Sequence, residues 1–298
     1  DASRLMQMLT PRDLREVAPG RCVYVPIVDE TGGMLNDPVA VKLAEDRWWI
    51  SIADSDLLLW AKGICNGYHL DVQVDEPDVN LLAVQGPKAE DLMERLFGAA
   101  VREVKFFRFG EFHFQGRAMN IARSGYSKQG GFEIYAEGAD IAMPLWDALF
   151  EAGRDLDVRA GCPNLIERIE GGLLSYGNDM TDDNTPHECG LGKLCDTHAA
   201  MGCIGRDALL RVAKEGPVQQ IRPLEIAGDP VPLCDRAWPL MAGDKRVGQV
   251  TSTIWSPDFG VNVAIGMVRM THWDPGTRLQ VETPEGLRDV TVRESFWA

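Results

Sequence analysis

Gly125-Tyr126-Ser127-Lys128-Gln129-Gly130-Gly131-Phe132-Glu133-Ile134-Tyr135 joins a glycine-rich turn to an alternating run. The glycines permit sharp turns and close backbone approach. The Phe-Glu-Ile-Tyr segment reads as a strand whose side chains alternate between two faces. Glu133 places a carboxylate inside that apolar run, where a charge is costly unless something pairs with it. Two partners would serve. One is a nearby Arg or Lys, which makes the segment an ordinary hairpin. The other is a flat ligand carrying a row of N–H donors.

Outward from this stretch the chain reads as α+β layers. Residues 35–43 and 48–52 read as two strands around a turn at Ala44-Glu45-Asp46-Arg47. Gln85-Gly86-Pro87 opens a helix, since proline suits a first helical position. Ala89, Leu92, Met93, Leu96 and Phe97 follow helical spacing, and Gly98 ends it. Short strands are expected over 106–108, 111–115 and 118–122, with 131–135 continuing that sheet. Residues 145–152 form an amphipathic helix closed by Gly153. A further helix carries Leu165, Ile166, Ile169, Leu173 and Leu174 on one face. Strands and helices mixed with hairpin-like turns point to α+β rather than to a regular parallel sheet. From about Gln219 the helical period vanishes. Runs at 246–253, 261–268, 278–282 and 288–293 predict a separate small β-barrel or sandwich, with 213–217 as the linker.

The 298 residues are long enough for two or three domains. Thirty Lys and Arg stand against 45 Asp and Glu, a formal charge of −15. Such a surface repels nucleic acid and anionic lipid, so neither is an expected partner. No apolar run approaches a membrane span. Seven scattered cysteines, Cys22, Cys65, Cys162, Cys189, Cys195, Cys203 and Cys234, make no disulfide framework. They fit a reducing cytoplasm. The chain opens at Asp1, and Ala2 to Leu9 already reads as a helix in progress, so a preceding segment is expected.

Several constellations have a plain reading beside a chemical one. Gly33-Met34-Leu35-Asn36-Asp37-Pro38 is a turn by composition, or it sets the Asp37 carboxylate at a strand mouth facing a ligand. His187, Cys189, Cys195, His198 and Cys203 have metal-ligand chemistry but no Cys-x2-4-Cys knuckle, so no metal is expected. Gly190-Leu191-Gly192-Lys193 lacks the length and ending of a phosphate loop. The glycines of 125–131 precede a strand rather than a helix, which excludes a dinucleotide fingerprint.

Six motifs in order give the chain a family resemblance. They are Gly33-Met34-Leu35-Asn36-Asp37, Val84-Gln85-Gly86-Pro87 and Gly125-Tyr126-Ser127 with Gly131-Phe132-Glu133-Ile134. Then follow the run from Arg168 to Met180, the run Gly202-Cys203-Ile204-Gly205-Arg206-Asp207-Ala208-Leu209, and Gly248-Gln249-Val250-Thr251-Ser252 with Ser256-Pro257. Together they resemble the folate-dependent methyltransferases of the glycine-cleavage T-protein family over nearly the whole chain. Within that family the wording is most similar to dimethylsulfoniopropionate demethylases. The telling pieces are residues 35–42, Ser127-Lys128-Gln129-Gly130-Gly131, and Asn184-Thr185-Pro186 before Glu188-Cys189-Gly190-Leu191-Gly192-Lys193. T-proteins usually have two acids where Asn36-Asp37 stands and an Arg where Asn164 stands.

The resemblance implies a three-domain cloverleaf around tetrahydrofolate, with a C-terminal β-barrel. It assigns 1–80 with 172–218 to the second family domain, 81–171 to part of the first and 219–298 to the barrel. It implies methyl transfer from a small-molecule sulfonium, dimethylsulfoniopropionate, to N5 of tetrahydrofolate. An aminomethyltransferase, an aromatic O-demethylase or a non-enzymatic folate-binding assembly factor is the alternative. By family position Asp37 stands near the methyl-transfer centre, Glu133 grips the pteridine N–H groups and Tyr126 lines the folate opening. For the ligand contact that the family's Arg makes, Arg168 is the nearest substitute as a cofactor-binding residue, or it pairs with Glu167 or Glu170. Lys128 or Lys193 is expected at the substrate carboxylate. A second copy of the chain, as a homodimer, is the other partner considered.

Overall fold

A computed structural model describes residues 1–52, 56–196 and 202–297. The chain opens with α1 (Ala2–Leu9), then β1 (Arg21–Tyr24), β2 (Ile27–Val28) and β3 (Met34–Asn36). Next come β4 (Val39–Ala44), β5 (Arg47–Ser51), α2 (Leu57–Gly67), β6 (Val79–Gln85) and α3 (Ala89–Phe97). The middle holds β7 (Phe109–Phe114), β8 (Arg117–Ala122), β9 (Gly131–Glu137), α4 (Ala139–Ala152), α5 (Leu165–Glu170) and α6 (Arg206–Glu215). Six strands complete the chain: β10 (Gln219–Ile226), β11 (Trp238–Ala242), β12 (Lys245–Ser256), β13 (Val261–Arg269), β14 (Arg278–Thr283) and β15 (Gly286–Val292).

Packing divides the chain into two compact units. One holds residues 1–3, 16–24 and 39–163; the other holds 4–15, 25–38 and 164–298. In the first, an antiparallel sheet runs in the order β6-β9-β8-β7, and a smaller one runs β1-β4-β5. Phe132, Ile134 and Ala136 of β9 are wholly buried against α3 and α4, in a core with Leu92, Met93 and Leu145. The alternate residues face the other way, where Tyr135 packs with Cys22, Val41, Ala122 and Trp49. This two-sided burial is why β9 can carry a carboxylate without exposing its core face.

The second unit contains a closed barrel, β10-β13-β12-β11-β14-β15. Closure removes free strand edges, and the interior is filled by Leu224, Ile226, Trp238, Leu240, Val250, Val281 and Val290. The barrel begins at Gln219, where the change of sequence texture places it. Two of its strands, β10 and β11, were not among the runs expected above.

Five expectations need correction. The strand over 35–43 is two strands, because Pro38 lacks the N–H a ladder needs; β3 pairs with β2, and β4 with β1 and β5. Residues 106–108 are not a strand: Phe107 sits at φ +55°, a left-handed conformation that interrupts extended chain. The helix after Gln85-Gly86-Pro87 starts at Ala89, beyond the turn that Ala89 closes onto Gly86 (3.1 Å). α5 stops at Glu170, since Gly172 takes φ +65° against the Phe296 ring. The linker expected at 213–217 is mostly helix; α6 runs to Glu215 and ends at Gly216, φ +84°. Among the described residues no helix is long and apolar enough to cross a membrane.

Candidate functional site

The first unit positions Glu133 in the interior of its sheet. β9 lies between β6 and β8, and Glu133 stands opposite Ala83 on one side and Ala122 on the other. Two alanines leave the carboxylate a slot that longer cross-strand neighbours would fill. Ser124 Oγ donates to Glu133 Oε2 in a short hydrogen bond. Among the described residues no Arg or Lys pairs with Glu133. The adjacent cation, Arg123, instead bonds Glu90 and lies over the Phe132 ring, 5.2 Å from its centroid. The hairpin reading with an ion-paired Glu133 is therefore not what the fold builds. Burial pushes the Glu133 carboxyl above the usual carboxylate range, and the Ser124 hydroxyl only partly offsets this. A ligand offering N–H donors would reverse that shift.

The glycine-rich turn is built around one side chain, Gln85. Its Nε2 donates to Ser124 O (3.0 Å) and to Phe132 O (3.2 Å), and Ser127 Oγ donates to its Oε1 (2.8 Å). A Cβ on Gly125 would lie 2.1 Å from Gln85 Oε1, and one on Gly131 would lie 2.1 Å from Val84 O. Gly131 also holds φ +150°. These two glycines are therefore needed for close approach rather than for flexibility. On the turn they shape, Tyr126 is 39% exposed and Lys128 half-buried.

The second unit holds Asp37, Arg168 and Lys193. Asn36 is buried at the end of β3, and its Oδ1 accepts from Asp37 N (2.9 Å), fixing the turn that precedes Pro38. Gly33 has no room for a side chain, since a Cβ would meet Asp182 O at 2.2 Å. Asp37 itself is half-buried. Burial, with Glu188 and Asp37 nearby, pushes the Cys189 thiol far up, so Cys189 is a poor nucleophile. Lys193 is exposed in the turn Gly192–Leu194.

Arg168 and its partner make several hydrogen bonds each. Arg168 Nη1 meets Asp179 Oδ2 at 2.6 Å and donates to Leu173 O at 2.9 Å; Nη2 donates to Ser252 Oγ at 2.6 Å. Asp179 also accepts from Thr251 Oγ1, Ser252 Oγ and Ser175 N at 2.7, 2.7 and 2.9 Å. Both residues are almost fully buried. The partner of Arg168 is thus Asp179, not Glu167 or Glu170. Glu170 instead accepts from Ser256 Oγ (2.5 Å). Sequence reading had no direct signal for Asp179 as the partner. Its one hint was an acid in the Gly177-Asn178-Asp179 turn, in reach of an Arg buried on a short helix.

Of the candidate residues, Tyr126, Lys128 and Glu133 fall in the first unit and Asp37, Arg168 and Lys193 in the second. Gln85 and Ser124 were not read as functional residues. Among the described residues no group of three His, Cys, Asp or Glu side chains could hold a metal ion. His198 lies outside the described residues.

Residues 1–199 match the family model described as GCVT N-terminal domain, and 219–297 match the Glycine cleavage T-protein C-terminal barrel domain. A dimethylsulfoniopropionate demethylase DmdA from Ruegeria pomeroyi is 61% identical over 297 residues, covering 100% of this chain and 81% of that protein. An aminomethyltransferase from Symbiobacterium thermophilum is 30% identical, covering 93% of this chain and 76% of its own length. In structure, the glycine cleavage system aminomethyltransferase T from Bartonella henselae matches with a TM-score of 0.83 at 25% identity, over 99% of this chain and 80% of that one.

Proposed function

The chain belongs to the glycine-cleavage T-protein family, and from that premise we propose that it is a tetrahydrofolate-dependent demethylase. Its methyl donor is dimethylsulfoniopropionate, and the products are methylmercaptopropionate and 5-methyltetrahydrofolate. Identity of 61% along the full chain to the named demethylase, against 30% to an aminomethyltransferase, favours this donor over an aminomethyl group. The observation that carries the cofactor reading is Glu133: a raised, cation-free carboxylate in a slot between two alanines. A reduced pteridine presents the matching edge of N–H donors, and charged hydrogen bonds of this kind are the strong ones.

A sulfonium methyl is already activated, because sulfur leaves as a neutral thioether. Tetrahydrofolate supplies the accepting amine. The methyl–sulfur bond breaks with its electron pair going to sulfur, the methyl passes to nitrogen and one proton is released. No general acid is needed at the leaving group. The work left to the chain is alignment and charge placement. Glu133 orients the pteridine, and Tyr126 offers an exposed ring at the opening. Asp37, held by the Asn36 turn, supplies negative charge for the sulfonium. Lys128 or Lys193 is proposed for the substrate carboxylate. Arg168, committed to Asp179, is proposed as a structural cation rather than a cofactor contact. We place the enzyme in the sulfur metabolism of a reducing cytoplasm, consistent with seven free, scattered cysteines.

Glu133→Ala is expected to weaken tetrahydrofolate binding by about 2–3 kcal/mol, roughly 30- to 150-fold in Kd. Its thermal midpoint should stay near the parent value, because the deleted carboxylate is a destabilised one. Calorimetric titration checks this. An unchanged folate affinity in a folded Glu133→Ala protein sinks the assignment.

A further inference from the structure

We infer that Gln85 is a positioning residue for the cofactor site, joining Glu133 to the glycine-rich turn through its carboxamide. This rests on the reading of Glu133 as the pteridine-binding carboxylate. Three bonds carry the inference. Gln85 Nε2 holds Ser124 O at 3.0 Å, and the hydroxyl of that serine donates to Glu133. The same nitrogen holds Phe132 O at 3.2 Å, the carbonyl immediately before Glu133. The other end of the amide, Oε1, accepts from Ser127 Oγ at 2.8 Å, between Tyr126 and Lys128. The pattern fixes the amide's orientation: its donor end faces two carbonyls and its acceptor end a hydroxyl.

The surrounding chain excludes alternatives to this arrangement. Gly125 leaves no room for a side chain because the Gln85 amide occupies that space, and Gly131 is crossed by the backbone of Val84 and Gln85. The Gly86 N–H to Gly130 O bond (3.1 Å) closes the turn beside them. Gln85 also ends β6, in register with Gly131 of β9. One side chain thus sets both the acceptor that a pteridine would meet and the turn that presents Tyr126. Such pre-organisation acts on binding of the cofactor rather than on the methyl-transfer step. Gln85 acts through Ser124, Phe132 and Ser127.

The test uses the full chain and three variants. Gln85→Met keeps the length and removes donor and acceptor. Gln85→Glu keeps the acceptor for Ser127 and turns a carboxylate oxygen toward two carbonyls. Ser127→Ala removes only the turn-side bond. The expected result is a KM and Kd for tetrahydrofolate raised tenfold or more in Gln85→Met and Gln85→Glu, and about threefold in Ser127→Ala. In all three, kcat at saturating folate and saturating dimethylsulfoniopropionate stays within twofold. A merely structural glutamine would lower kcat and raise both KM values together, and that pattern overturns the inference. So does an unchanged folate affinity in Gln85→Met while Glu133→Ala loses affinity, with the cofactor reading intact. If Glu133→Ala also keeps its affinity, the cofactor reading itself has failed and the inference falls with it. Should neither Gln85 variant fold, Ser127→Ala decides: a threefold rise in folate Kd supports the role, and a parent value overturns it.

Discussion

Asp37→Asn is expected to lose demethylation of dimethylsulfoniopropionate by about 30- to 1,000-fold in kcat/KM, with tetrahydrofolate affinity within about twofold of the parent. The range comes from charge. A unit pair about 4 Å apart is worth about 4 kcal/mol at an effective dielectric near 20, before desolvation. If half of that survives desolvation, about 2 kcal/mol remains, and each 1.36 kcal/mol is tenfold in rate. The substitution is a clean one because the Asn36 side chain holds Asp37 through its backbone N–H, 2.9 Å away. Asparagine keeps that bond and the shape of the side chain, and removes the charge. Single-turnover kinetics separate the methyl-transfer step from cofactor binding. Near-full turnover in a folded Asp37→Asn protein would return Asp37 to the role of a turn residue before Pro38.

The second large effect falls on stability. Asp179→Ala is expected to destabilise the protein by about 3–5 kcal/mol, since it leaves the Arg168 guanidinium buried and uncompensated. It also strands the hydroxyl of Ser252 and the N–H of Ser175, which donate to this carboxylate, while Thr251 Oγ1 keeps Ile265 O as an acceptor (3.1 Å). The melting transition should fall by roughly 6–20 °C. Replacing both members with apolar residues of similar volume, Arg168→Met with Asp179→Leu, should recover much of the loss. A loss under about 1 kcal/mol for Asp179→Ala, read from denaturant melts, would mean that water reaches the pair.

What the sequence reveals follows from which forces are local. Alternation marked β9 and four of the barrel strands, because one buried face imposes a period of two. Gly98 and Gly153 mark helix ends for different reasons: Gly98 takes φ +80°, while Gly153, at φ −98°, leaves no room for a Cβ, which would lie 2.2 Å from Val158 Cγ2. The start of α4 was hidden: Pro144 lies within that helix, so the periodic pattern was read only from Leu145 although the helix begins at Ala139. Phe107 was read as strand, and no local rule predicts a left-handed phenylalanine. It is held there by Phe107 N bonding Arg123 O (3.0 Å) and by its own carbonyl accepting from Cys22 N (3.0 Å). Both partners are distant in sequence.

The site divides the same way. Glu133 was legible because a charge in an apolar strand demands a partner. That its partner is a serine and not an arginine was not legible, because Arg123 had two acids and a ring to choose among. The Asn36-Asp37-Pro38 turn could be read from composition. The destination of the Arg168 guanidinium could not, since Asp179 and Ser252 reach it only once α5, its following loop and β12 are folded. Gln85 stands in the Val84-Gln85-Gly86-Pro87 motif, yet its three bonds go to residues 39 to 47 positions away.

The most direct test is the identity of the folate product. The purified chain is incubated with tetrahydrofolate and dimethylsulfoniopropionate, and the folates and sulfur compounds are resolved by liquid chromatography with mass detection. The expected result is 5-methyltetrahydrofolate and methylmercaptopropionate in equal amounts. No methyl-folate from this donor, or methylene-folate formed instead from an aminomethyl donor, would contradict the account.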